Sequence, residues 1–144
     1  MAKYFLDPQA GFTIEDYNHS KSFASFLPAI AGKFGIPLWS FYVNRGQGMA
    51  AFGIRDKDHY ILEFLPANKA YGSVFERGFR TFLKVDSGFY EPFRLSSDTS
   101  IKQIMRVNSS FFEIEEENKK IGLKIKVKYF TLPSQEFASL VREV

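Results

Sequence analysis

The chain has 144 residues, no cysteine, two histidines and a formal net charge of +3. The missing cysteines exclude disulfides within the chain and thiolate chemistry, and a mildly basic balance is by itself no nucleic-acid signature. With 17 Phe, 7 Tyr and 1 Trp, and with each buried ring hiding about 150–250 Å², a single domain over residues 1–144 can build its core without staples.

Met1–Leu6 has no long apolar stretch of the secretory type, and no apolar run reaches the roughly 18 residues of a membrane-spanning helix. Together with the absent cysteines, this leads us to expect a cytoplasmic protein with neither membrane nor nucleic acid as partner. The dominant period along the chain is two. Tyr4–Leu6 and Phe12–Ile14 flank Asp7-Pro8-Gln9-Ala10-Gly11, which reads as a turn between two strands. Asn18–Lys21 is polar and loop-like. Residues 22–34 are ambiguous: Ala29-Ile30-Ala31 could form a helical turn, while Pro28, Gly32 and Gly35 favour irregular structure.

Pro37–Val43 is predicted to be a strand, with Leu38, Ser40 and Tyr42 on one face and Trp39, Phe41 and Val43 on the other. Asn44-Arg45-Gly46 turns it into a strand of small residues, Gly48–Ile54, whose glycines permit close backbone approach. Asp56-Lys57-Asp58 turns that strand into His59–Leu65. Pro66–Gly78 reads as a loop, Phe79–Val85 as a strand, and Asp86-Ser87-Gly88 as a turn into Phe89–Phe93. A polar linker, Leu95–Ser100, precedes a strand at Ile101–Val107.

The clearest hairpin joins Phe111–Glu117 to Ile121–Phe130. Phe112 and Ile114 share a face on one strand, as do Leu123, Ile125, Val127 and Tyr129 on the other. Any register in which paired residue numbers sum to an odd value matches apolar with apolar. It also sets Glu113, Glu115 and Glu117 near Lys124, Lys126 and Lys128. The lysine stripe is therefore a solvated sheet face with local partners rather than a phosphate track. Residues 137–144 alternate like the opening of a strand, while Glu136, Ala138, Leu140 and Arg142 also suit a helix; either element stops without a turn signal, so the chain is expected to be the N-terminal piece of a longer protein.

Catalytic motifs are thin. His19 and His59 have no ligand spacing around them, and a metal site needs three or four converging donors; turn or surface positions are expected. Gly46-Gln47-Gly48 begins a Gly-x-Gly, but Ala51 replaces the third glycine of a dinucleotide fingerprint and no helix follows. No Gly-x-Ser-x-Gly elbow occurs. Asp56 and Asp58 flank a lysine in a turn, Glu115-Glu116-Glu117 alternate on a strand, and Glu63 has no evident acidic partner for a glycosidase pair. Trp39, Phe41, Tyr42, Tyr60, Phe64, Tyr71, Phe79 and Phe82 could supply a sugar-stacking platform, although aromatics at strand spacing are usually core. Asn44, Arg45, Gln47, Asn68, Lys69 and Arg80 are the polar residues near them, in loops where binding residues gather; turn chemistry and surface charge are the plainer readings.

Four segments carry a family resemblance: Phe26-Leu27-Pro28; Gly35-Ile36-Pro37-Leu38-Trp39 running into Phe41-Tyr42-Val43-Asn44-Arg45-Gly46-Gln47; Pro66-Ala67-Asn68-Lys69-Ala70-Tyr71; and Gly78-Phe79-Arg80-Thr81-Phe82. In them the chain resembles the N-terminal domain of inverting glycoside phosphorylases of the cellobiose and β-glucan group. The resemblance implies an all-β antiparallel β-sandwich, part of a galactose-mutarotase-like super-sandwich. It implies a helical-barrel catalytic domain as partner, a carbohydrate substrate and a possible homodimer. Inorganic phosphate would be co-substrate of the intact enzyme, and no other cofactor is implied. The general-acid carboxylate of that family lies in the barrel, so no catalytic residue and no metal ligand is assigned here. By the same analogy Asn44, Arg45, Gln47, Asn68 and Lys69 are the candidates for sugar or partner contact. The alternatives are a stand-alone carbohydrate-binding module, which would need a row of exposed aromatics such as Trp39 and Tyr42, and a structural interaction domain.

Overall fold

Alternating apolar residues give strands almost throughout. The computed structural model describes residues 2–8, 11–31, 33, 35–86, 88–132 and 135–144. Its strands are β1 (Lys3–Asp7), β2 (Gly11–Glu15), β3 (Ala24–Ala31), β4 (Ile36–Val43), β5 (Met49–Ile54), β6 (Tyr60–Leu62), β7 (Leu83–Val85), β8 (Gly88–Tyr90), β9 (Ile101–Val107), β10 (Phe111–Asn118), β11 (Leu123–Thr131) and β12 (Leu140–Glu143). A 3-10 turn at Tyr17–His19 and one short helix, α1 (Ala67–Ser73), interrupt them. A six-stranded sheet runs β1-β2-β9-β10-β11-β12, a four-stranded sheet runs β3-β4-β5-β6, and β7 and β8 form a separate hairpin. Every strand pairing is antiparallel.

The fold is all-β and sandwich-like. The two large sheets meet face to face through Ile14, Met105, Phe112, Ile114, Val127 and Tyr129 on one side and Leu27, Tyr42 and Met49 on the other. At the centre, Phe112 stacks on Tyr42 at 4.8 Å and on Tyr129 at 4.5 Å between ring centroids. Such offset pairs add about 0.5–1.5 kcal/mol each beyond the area they bury.

The hairpin register is the one the alternation demands, Phe112 opposite Tyr129 and Ile114 opposite Val127. Glu113, Glu115 and Glu117 face Lys128, Lys126 and Lys124 directly. The close ion pairs run diagonally, Lys124 to Glu115 at 3.1 Å and Lys126 to Glu113 at 3.4 Å, with Arg106 reaching Glu113 at 2.9 Å. The lysine stripe is thus engaged by its own sheet.

One open segment is settled and two local expectations are corrected. Residues 24–31 form a full strand despite Pro28, because β3 is the edge of its sheet and an edge has a row of unpaired backbone groups where a missing N–H does no harm. Within the expected 66–78 loop lies α1, which buries Ala70 and, just beyond its end, Val74. Both pack with Phe41, Val43 and Ala51 on the outer face of the four-stranded sheet. Residues 79–82 lie outside the ladder, and Phe79 is held instead by rings, stacked on Phe52 at 5.7 Å and tilted against Tyr129 at 5.8 Å. The residues Gln9, Ala10, Gly32, Phe34 and Ser87 lie outside the described residues.

Candidate functional site

The turn after β4 gathers three of the five candidate contacts, and it uses them internally. Asn44 is fully buried. Its Oδ1 accepts from the Phe23 amide at 2.7 Å, and its Nδ2 donates to the Lys21 carbonyl at 2.8 Å, to the Tyr17 carbonyl at 3.3 Å and to Ser20 Oγ. Arg45, half-buried, donates to the carbonyls of Tyr17 at 3.1 Å and Ser20 at 2.8 Å and lies 5.7 Å from the Tyr71 ring centre. Gln47 Oε1 accepts from Thr81 Oγ1 at 3.1 Å and from Arg142 at 2.7 Å, while its buried Nε2 has no partner among the described residues. These groups tie the 3-10 turn, β4, the 79–82 segment and β12 together. Asn68 and Lys69 lie exposed in the first turn of α1, and no hydrogen bond joins them to the 44–47 turn among the described residues. Arg80 forms a two-bond fork with Glu91, at 2.7 and 2.8 Å.

The carboxylates are also committed. Glu91 takes Arg94 as well as Arg80, and the Arg80 bonds hold its pKa below the ordinary range. Glu63 pairs with Arg77 at 3.1 Å. The His19 ring lies 2.7 Å from Asp16, and the His59 ring 2.8 Å from Asp56; all four side chains are well exposed, which places both histidines at surface turns. Among the described residues no group of three His, Cys, Asp or Glu is placed to hold a metal.

Glu116 is the residue the sequence reading passed over. Its number parity matches Phe112 and Ile114, so it points between the sheets, and it is only 2% exposed. Its carboxylate accepts from the Phe93 amide at 2.6 Å, from Gln103 Nε2 at 2.7 Å and from the Tyr90 hydroxyl. Burial and this carboxylate push the Tyr90 phenol up to about 12. Asn18 extends the network, donating to Gln103 Oε1 at 2.7 Å and accepting from the Gly46 amide at 2.7 Å. A buried carboxylate with three donors is stable only while all three persist.

The supposed aromatic platform divides. Tyr42 and Phe41 are core, Phe79 is packed against it, and Tyr60 and Phe82 are separately exposed. Trp39 and Phe64 instead line an open cleft of about 280 Å³ with Phe26, Arg55, Asp56 and Lys57. Phe26 stacks on Phe64 at 5.9 Å, and Trp39 meets Phe64 edge-on at 6.3 Å. The indole is fixed, since Trp39 Nε1 donates to the Asp56 carbonyl at 2.9 Å. Gly53 pairs with Trp39 across the sheet, and a Cβ there would lie 2.8 Å from the indole. Arg55 adopts φ +64° and is anchored by its amide to the Pro37 carbonyl at 2.8 Å. Only the pairing of Phe26 with Phe41 across β3 and β4 brings Phe26 to this cleft, and sequence reading left that segment open. A second groove, about 430 Å³, runs over the outer face of the six-stranded sheet among Lys3, Glu15, Lys102, Glu115 and Glu117; its charges are mixed and select no ligand sign.

Comparison with known proteins gives no match to a family model, to a curated protein or to a solved structure. Among the described residues no helix is long and apolar enough to cross a membrane.

Proposed function

We propose that this chain is the non-catalytic β-sandwich of an inverting glycoside phosphorylase of the cellobiose and β-glucan group, acting in the cytoplasm beside a helical-barrel catalytic domain. The observation that carries the reading is the convergence of the four segments in which the resemblance lies. Phe26 meets Phe41 at 5.0 Å, Arg45 lies over Tyr71, and Gln47 accepts from Thr81. Segments far apart in sequence thus meet one another, the first three through rings on the outer side of the four-stranded sheet and the fourth through Phe79 against the inter-sheet core, as a supporting wall requires. The carboxylate chemistry agrees. A general acid at neutral pH needs a raised pKa, whereas Asp56, Glu91, Asp98 and Glu115 are all lowered by hydrogen bonds or cations. The acid that protonates the leaving sugar belongs to the barrel, with inorganic phosphate as attacking group and a sugar 1-phosphate as product. Asn44, Arg45 and Gln47 serve this by holding the wall together. Asn68 and Lys69, exposed on α1, are the candidates left to touch sugar or barrel.

The test is phosphorolysis by the full product of the reading frame that contains this chain. Incubated with cellobiose and inorganic phosphate, that product should release glucose 1-phosphate, and residues 1–144 alone should not. A full-length product without this release, release by the 144-residue chain alone, or a stop codon directly after Val144, would overturn the proposal. A second reading, a stand-alone carbohydrate-binding module, is favoured by one observation, the aromatic cleft at Phe26, Trp39 and Phe64.

A further inference from the structure

We infer that the cleft between Phe26, Trp39 and Phe64 is a saccharide-binding subsite that stacks one pyranose ring. The choice of ligand rests on the carbohydrate reading above, and the geometry specifies the site. One wall is aromatic, and aromatic faces carry the negative lobe of the ring quadrupole, which attracts the C–H-rich face of a pyranose. The rim is the turn at Arg55, Asp56 and Lys57. Asp56 accepts from the Asp58 amide at 2.9 Å and lies 2.8 Å from the His59 ring, both through Oδ1, which leaves Oδ2 open to a hydroxyl donor. The Arg55 guanidinium makes no hydrogen bond to the described residues and is open to a hydroxyl acceptor. The lining is chiefly apolar with charged residues at its rim, and about 280 Å³ falls just below the ~300–1,000 Å³ that small-molecule sites span. That room suits one ring of a chain whose other residues extend into solvent.

Other occupants fit less well. A free phosphate would meet the Asp56 carboxylate beside the two cations. An apolar side chain of a partner would cover the wall and leave Arg55 and Asp56 Oδ2 without complement. The wall is also preorganised: the Trp39 indole is fixed by the Asp56 carbonyl and packed against Gly53, so little ordering cost accompanies binding.

The chain has one tryptophan, so its emission reports on this cleft alone. Titration of the 144-residue protein with cellobiose and with cellotetraose should change Trp39 emission saturably, and inorganic phosphate should not change it. Phe26→Ala should weaken binding roughly tenfold, the loss of one stacking face. Should that variant fold poorly, Arg55→Gly replaces it: glycine suits φ +64°, and loss of the guanidinium should weaken binding by a similar factor. Phe89→Ala, at an exposed ring on the β7–β8 hairpin, should leave affinity unchanged. No saturable response to either sugar, or a response equal in wild type, Phe26→Ala and Arg55→Gly, overturns the proposal. A response to phosphate alone does the same, marking an anion site. Binding without phosphorolysis by the full-length product would remove the phosphorylase reading and keep the subsite; phosphorolysis without binding would do the reverse.

Discussion

The guanidinium of Arg142 on β12 donates to Gln47 Oε1 at 2.7 Å across a separation of 95 residues. It also donates to Thr81 and, at 3.2 Å, to the Tyr129 hydroxyl. One side chain therefore closes the 44–47 turn, the 79–82 segment and the last strand. Charge-assisted bonds of this kind contribute about 1.5–3 kcal/mol when a partner is removed. Arg142→Met, which keeps the aliphatic stem, should lower unfolding stability by about 2 kcal/mol in a urea titration. An unchanged midpoint would mean that the closure carries no stability.

Asn44→Ala should cost more than a surface substitution at a binding loop would. The buried amide satisfies the Phe23 N–H and the carbonyls of Lys21 and Tyr17. Truncation leaves these groups inside the protein without partners, at about 1–3 kcal/mol for each that water cannot reach. The expected loss is about 3 kcal/mol, or roughly 10 °C in Tm for a domain of this size. If thermal unfolding of the variant matches wild type, the hub described here is not structural.

Those two residues also show where the sequence stopped being informative. The faces of β4 and the odd-sum register of the β10–β11 hairpin were legible because period two has only two phases, and one of them places Phe112 and Tyr129 in solvent. The direction of Asn44 and Gln47 was not. A polar residue in a turn is equally compatible with solvent and with a hydrogen-bond partner 21 or more residues away, and only the packing of distant segments against β4 decides. Helix α1 was hidden by Gly72 and Gly78, because its stability comes from burying Ala70 against Phe41 and Val43 rather than from propensity. The cleft was half legible: Trp39 and Phe64 stood out as aromatics, whereas Phe26 and the Arg55–Lys57 rim join them only through strand pairing. Glu116 could have been found, since its parity with Ile114 already aims it inward.

Stability should fall off at both ends of the pH scale, for opposite reasons. Asp98 is lowered to about 2 by its Lys120 bond, and Glu91 is lowered by Arg80. For Glu115, burial acts upward but is outweighed by Lys124 and Arg106. Groups with depressed folded pKa values contribute stability above their unfolded values, near 4, and lose it as pH falls through the folded ones. The acid limb should therefore run from about pH 4 to about pH 2. Tyr90 and Tyr129 are both raised to about 12, chiefly by burial, so their contribution is complete below the unfolded value near 10 and is lost as pH rises toward 12. Chemical denaturation across pH, with tyrosinate absorbance followed on the alkaline side, checks both limbs. Glu91→Gln should flatten the acid limb, and Tyr90→Phe the alkaline one. Stability that still rose between pH 10 and 12 would contradict the tyrosine assignment.

Gly48 and Phe112 should be energetically coupled. Gly48 lies at φ +80°, and a Cβ there would come within 2.6 and 2.9 Å of the Phe112 ring. That ring is the middle member of the Tyr42–Phe112–Tyr129 stack, so it cannot retreat without disturbing rings from both sheets. Gly48→Ala should cost about 1–2 kcal/mol for the left-handed backbone and a further ~1–3 kcal/mol for the crowding. Phe112→Leu alone loses stacking and volume, about 1–2 kcal/mol, but vacates the space the new methyl needs. The double variant should consequently be about 1 kcal/mol more stable than the sum of the single losses predicts, within the range observed for contacting pairs. The cycle separates the two contributions to the glycine effect. Backbone conformation cannot be relieved by a change at Phe112, so strict additivity would assign the whole cost of Gly48→Ala to φ and none to the collision with the stack.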